Sequence, residues 1–154
     1  AAAPPALGRI AGEDRGGEVP REAAESLGGL PGDHGTTELV RIARSHPAEE
    51  VRREAAEALG AKGSDRAIDA LRGLIERDRD PAVQDEAVEA LAGAYTGSAA
   101  GRKTSRDEVR AMLDRVRRTH PSARVRARAA EELAELREEA GGAVSWIPRG
   151  GPRS

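Results

Sequence analysis

Apolar residues along the chain fall at helical spacing and return at fixed intervals. Val51, Ala55, Ala58 and Leu59 lie at positions i, i+4, i+7 and i+8, the stripe of one helix face. A second stripe lies upstream, with Leu39, Ile42 and Ala43 on one face of a shorter segment. Ser45-His46-Pro47 separates the two, and proline disfavours helical geometry at the residue before it. The pair predicts a helix-turn-helix unit. Thr36 or Thr37 would cap its first helix, and its second would run from about Ala48 to Leu59, with Gly60 ending it.

The same unit recurs. Leu39, Leu71 and Leu113 align, as do Ile42, Leu74 and Val116. Val51, Val83 and Val125 align in the second helices, with Leu59, Leu91 and Leu133 eight positions further on. Residues 19–28 match residues 51–60 at eight of ten places, 32 positions upstream. Residues 83–92 form a looser copy 32 positions downstream, and residues 125–134 follow 42 positions after that. Such periodicity marks a stacked repeat array, in which each unit covers its apolar face with the next. The ten-residue excess falls in the Gly- and Ser-containing loop Thr96 to Thr104. After it, Ser105-Arg106-Asp107-Glu108 has the form of a capping box.

The expected organisation is a leader over residues 1–18, a repeat domain over 19–140 and a Gly- and Pro-containing tail over 141–154. The leader has Leu7 and Ile10 as its only large apolar residues, and the first unit lacks a leading helix, as a fragment would. Val144, Trp146 and Ile147 of the tail would be its contacts if it lay over the last repeat.

Composition changes the picture in one respect. Ala accounts for 30 of 154 residues, Leu, Ile and Val together for 25, and Phe is absent. A core so rich in Ala is thin, but it lets helices pack closely and has high helix propensity. The net charge of −2 argues against a disordered chain. With no cysteine there is no disulfide framework, thiolate metal site or Cys nucleophile. No stretch approaches the roughly 20 apolar residues needed to span a bilayer. Compartment stays open between cytoplasm and periplasm.

Residues 51–60, followed by Gly63-Ser64-Asp65-Arg66-Ala67-Ile68-Asp69-Ala70-Leu71, resemble the HEAT-like repeat of phycobilisome lyases and bacterial α-solenoids. Ile42-Ala43-Arg44-Ser45-His46-Pro47 and Val116-Arg117-Arg118-Thr119-His120-Pro121 are similar to helix-ending phrases in bacterial multi-HEAT proteins. The resemblance covers about residues 19–140. It implies an all-α, right-handed solenoid of about three full units and a partial first one. Its second helices would line a concave face used for macromolecular recognition. Gln84 and Pro20 depart from the Arg that usually follows the Val.

Candidate chemistry is sparse. His46 and His120 occupy equivalent places two units apart, on the order of 20 Å at helix-packing distances, too far to share a metal. A role at the negative end of a helix dipole explains them better. Glu25, Glu57, Glu89 and Glu131 recur in every second helix, with Glu22, Glu54 and Glu86 three residues before the first three. A catalytic carboxylate pair needs one unusual environment, whereas these repeat. Arg21 with Glu25 and Arg53 with Glu57 read as ordinary i,i+4 surface pairs, and an acidic stripe attracting a basic partner is the other use. Residues 97–104 have the wrong glycine spacing for a phosphate loop, and no strand precedes them. Residues 102–128 carry ten Lys or Arg against three Asp or Glu, within a chain of net charge −2.

These residues predict a non-enzymatic scaffold without cofactor or metal. It would bind another protein through Arg53, Glu57, Asp85, Glu89, Ala127 and Glu131. The alternative is a nucleic acid or other polyanion bound through Arg110, Arg117, Arg124, Arg126 and Arg128. A weaker third reading is an accessory module of a larger enzyme or a bilin-lyase-like protein.

Overall fold

The structure, a computed structural model, describes residues 18–31, 33–96 and 101–142. Leu7 and Ile10 of the expected leader, residues 97–100 of the long connection, and Val144, Trp146 and Ile147 lie outside these residues. The described chain is all-helical: α1 (Glu18–Gly28), α2 (Thr36–Ser45), α3 (Glu49–Lys62), α4 (Asp65–Arg77), α5 (Pro81–Thr96), α6 (Arg106–Thr119) and α7 (Ala123–Gly142). The second helices α1, α3, α5 and α7 pack one on the next as a layer. The first helices α2, α4 and α6 each pack against the second helix of their own unit, and α2 also packs on α4. This is a helical solenoid.

The aligned apolar positions form its core. Leu39, Ile42, Val51, Leu59, Leu71, Leu74, Val83, Leu91, Leu113, Val125 and Leu133 are all buried. Val116 is the exception and is only partly covered. Ala55, Ala56, Ala58, Ala87, Ala90 and Ala129 fill the spaces between the larger side chains of the second helices. Short side chains let the helix backbones approach closely.

Gly60 works differently from the expected helix end. α3 continues through it to Lys62, and Gly63, with φ of 56°, is the left-handed C-cap. At Gly60 the next second helix passes so near that an added Cβ would lie 2.7 Å from the Ala90 carbonyl oxygen. Gly28 stands in the same relation one unit earlier, where a Cβ would meet the Ala58 Cβ at 3.0 Å. The repeated glycine is therefore a crossing point. It looked like a cap because a C-terminal glycine and a packing glycine share the same sequence position.

The caps divide similarly. Neither Thr36 nor Thr37 caps α2: its N-cap is Gly35, with φ of 82° and no side-chain hydrogen bond. Thr36 is instead buried at the first helical position. The capping box at α6 is present, with the Glu108 N–H donating to Ser105 Oγ at 3.2 Å and the Ser105 N–H donating to Glu108 Oε2 at 2.6 Å.

A buried arginine ties two units together. Arg52 is 2% exposed, and its Nε and Nη2 donate to the two carboxylate oxygens of Asp78 at 3.0 and 3.1 Å. Its Nη1 donates to the His46 and Pro47 carbonyls, at 3.0 and 3.1 Å. One guanidinium thus holds its own turn and the turn of the following unit. Gln84, at the equivalent place, donates only to the Asp78 carbonyl at 2.9 Å.

The histidines belong to the same turns, and their contacts go beyond a place at the end of a helix dipole. His46 and His120 are C-cap residues, and the ring Nδ1 of each accepts a backbone N–H, from Ala48 and Ser122 respectively. For His120 this leaves Nε2 as the ring donor to the Ile75 carbonyl, 3.0 Å away in the previous unit. Each ring is a hydrogen-bonding part of its turn, a role that its place at the helix end did not show.

Two substitutions test this packing. Gly60→Ala gains about 1 kcal/mol of helix propensity, yet should lose about 1–3 kcal/mol net through overpacking against α5. Gly93→Ala, where an added Cβ meets nothing within 4 Å, should stabilise by up to about 1 kcal/mol. Arg52→Ala strands the Asp78 carboxylate and should destabilise by about 3–5 kcal/mol. Urea unfolding followed by circular dichroism measures all three; a destabilised Gly93→Ala beside an unchanged Gly60→Ala would contradict the crossing geometry.

Candidate partner-binding site

The second helices point their outer positions to one face. On α3 the exposed residues include Arg53, Glu57 and Ala61, and on α5 they include Glu89 and Gly93. The grooves between these helices form two troughs of about 420 and 560 Å³ that share Glu57 and Ala61. Their floor is small, made by Gly28, Gly29, Ala58, Gly60, Ala90 and Gly93, with the close crossings demanding small residues where Gly28 meets Ala58 and Gly60 meets Ala90. Their walls are carboxylates: Glu25, Glu54, Glu57, Glu86 and Glu89. Arg53 is the cation of this lining, and its Nη2 lies 3.2 Å from Glu86 Oε2. That pair joins α3 to α5, where an i,i+4 pair with Glu57 had been expected. Burial pushes the Glu86 carboxyl above the usual range, although the hydrogen bond from Arg53 works against it.

The candidate residues separate by environment. Arg53, Glu57 and Glu89 share one trough. Asp85 is instead buried, and its Oδ2 accepts from Arg124 at 3.2 Å and from Arg128 at 3.5 Å, tying α5 to α7. Glu131 is exposed and lies 3.7 Å from Arg128, which also approaches Glu89 at 4.0 Å. Ala127 is exposed on α7.

The cations of the polyanion reading are dispersed in role. Arg124 and Arg128 meet Asp85, and Arg117 pairs with Asp114 at 2.6 Å. Arg126 donates to the His120 and Pro121 carbonyls, holding the last turn as Arg52 holds an earlier one. Arg110 is half-buried on α6. Of the ten cations in residues 102–128, Arg124 and Arg128 pair with acids from outside that stretch, a pairing that a charge count along the sequence does not show.

Glu132 was not anticipated as unusual. It occupies the place of Ala58 and Ala90, the residues that press on Gly28 and Gly60 in earlier units. A carboxylate at this crossing is 9% exposed against α5. Desolvation, followed by the charges of Glu135 and Glu89, raises its pKa to about 7, with Arg128 opposing the shift from 3.8 Å. The alignment of residues 83–92 with 125–134 contained the signal, since Glu132 stands where the two preceding copies have Ala58 and Ala90.

Among the described residues, no group of three His, Cys, Asp or Glu side chains is arranged to hold a metal ion. No described helix is long and apolar enough to cross a membrane. Stacked helix pairs with one continuous Ala-rich core define an α-solenoid. The HEAT repeat family matches residues 4–92, more than half of the chain, and the protein belongs to that family. HEAT repeats generally serve as protein-interaction scaffolds. No curated protein matches the chain.

The Glu132 shift has a pH signature. The folded protein keeps a proton here between about pH 4.5 and 7 that the unfolded chain has released. Stability therefore falls as pH rises through that window and levels off above it. Glu132→Gln should lessen the fall and leave the protein more stable than the parent at pH 8, by on the order of 1–2 kcal/mol. Unfolding curves at pH 5 and 8 decide it, and an unchanged pH slope in the variant would count against a desolvated Glu132.

Proposed function

We propose that this HEAT-repeat chain is a non-catalytic scaffold whose second-helix, concave face receives a basic segment of another protein. The observation that carries this reading is the pair of troughs joined at Glu57, with carboxylate walls and a Gly and Ala floor. A small floor admits an extended backbone close to the helices, and the walls complement Lys or Arg on either side of it. Charge of one sign along a groove also speeds encounter with an oppositely charged partner. Repetition of the glutamates, which argues against catalysis, suits a partner that is itself extended. The polyanion reading has weaker support, because Arg117, Arg124, Arg126 and Arg128 are engaged within the chain. The accessory-module reading rests on the resemblance to bilin lyases and is tested by incubation with bilin and apoprotein.

A fluorescein-labelled Lys- and Arg-rich peptide of about twelve residues provides the test, read by anisotropy at low and physiological salt. Binding should weaken with salt and fall about tenfold or more in Glu57→Lys/Glu89→Lys. An acidic peptide of equal length should leave this face unoccupied. Absence of binding at low salt, or binding indifferent to the double reversal, removes the proposal.

A further inference from the structure

We propose that the cleft between α4 and α6 is a second docking site, on the first-helix layer. Its occupant would be a peptide segment of another protein that inserts two apolar side chains flanked by carboxylates. The proposal starts from a break in the repeat. α2 and α4 pack together, whereas α4 and α6 make at most marginal contact. The connection before α6 covers nine residues, 97–105, against two, 63–64, before α4, and α6 does not pack on α4 as α4 packs on α2.

The separation leaves apolar groups incompletely covered. Val116 aligns with Ile42 and Leu74, which are 1% and 3% exposed, yet it is only partly buried. Met112 aligns with the buried Ala70 and is also partly open. They sit four residues apart, on one face of α6. Opposite and beneath them lie Ile75 and Leu91, and the space between has a volume of about 350 Å³. That is the lower end of the range for ligand pockets, and suits a few side chains better than a whole helix.

The cleft is held open by contacts that do not need a ligand. α4 packs on α5 and α6 on α7, with α5 and α7 packed on each other, and the His120 ring spans to the Ile75 carbonyl at one end, fixing the width. An apolar guest would therefore find a preformed space and lose little free energy to reorganisation.

Charge selects the occupant. Arg72 and Arg115 stand on opposite sides of the cleft, with Glu76 as its one acidic lining residue. Arg72 has Asp69 beside it at 3.0 Å and is half exposed. Arg115 has no ion pair among the described residues. Arg117 and Arg118, on the same helix, share a single carboxylate, Asp114. An apolar floor between cationic edges matches leucine-like side chains with Asp or Glu beside them. It offers a phosphate backbone nothing in the floor, and the chain's one Tyr, Tyr95, already lies 5.5 Å beneath Arg106. A peptide fits these features better than a nucleic acid does.

The protein carries its own reporter, because Met112 is its only methionine. The full chain labelled with [methyl-13C]methionine gives one methyl signal from the cleft wall. The probe is a fluorescein-labelled twelve-residue peptide with two leucines four positions apart, flanked by Asp and Glu. It should shift the Met112 signal saturably and bind with an anisotropy change. Replacing its leucines by alanine, or its acids by lysine, should weaken binding about tenfold or more. Val116→Asp should have the same effect, as should Arg115→Glu, an exposed change that keeps the experiment informative if Val116→Asp does not fold. Glu57→Lys/Glu89→Lys should leave this binding intact, separating the cleft from the opposite face. An unmoved Met112 signal at about 1 mM peptide would overturn the proposal. So would a twelve-nucleotide single-stranded DNA that shifts the signal as strongly.

Discussion

Second helices of successive units cross where a glycine of one meets an alanine of the next. Gly28 receives Ala58 and Gly60 receives Ala90, 30 residues further along in each case. At Gly60 the spacing leaves no room for a Cβ. The approach sets the distance between helices, and the other features adjust to it. Large apolar side chains are confined to the interior between layers. Glycine and alanine line the outer groove, and longer polar residues are displaced to its sides. The acidic troughs are therefore a by-product of stacking as well as a candidate surface for recognition.

Departures from that crossing are where the molecule becomes particular. In α7 the residue at the crossing is Glu132, and its carboxyl is held largely away from water, with Arg128 and several acids around it. Asp85 is likewise buried and satisfied by arginines from α7. The junction between α5 and α7 thus has buried charged contacts where α3 and α5 meet through glycine and alanine, with the Arg53–Glu86 pair at the side of the groove. Such a junction responds to pH and salt more than its predecessor. On the other layer the same unit swings α6 away from α4 and leaves Val116 and Met112 partly open.

Turns supply a second kind of connection. Arg52 unites its own turn with that of the next unit through Asp78, and Ser64 of one turn donates to Asp33 of the previous one at 3.1 Å. Asp65 accepts the N–H groups of Lys103 and Thr104, at 2.8 and 2.7 Å, and so fastens the end of the long connection to the start of α4. The Thr104 hydroxyl adds a further hydrogen bond and, with the two backbone donors, lowers the Asp65 pKa to about 2. The longer connection is anchored even where the helix that follows it stands apart.

The periodic spacing of Leu, Val and Ala determined the helices, their pairing into units and nearly all of the core, because burial at i, i+4 and i+7 has one helical solution. The capping box at Ser105 was equally legible, since it depends on residues three apart. Roles that depend on a neighbouring unit were not. Gly60 is a crossing point only because Ala90 comes to it, and Arg52 is buried only because Asp78 does. Asp85, Arg124 and Arg128 read as exposed candidates for a partner until α5 and α7 were brought together. The partial exposure of Val116 contradicts its place in the repeat, and only the separation of α6 from α4 produces it. Local spacing is enough to specify a helix face, while the space left between two faces depends on how far apart the helices settle.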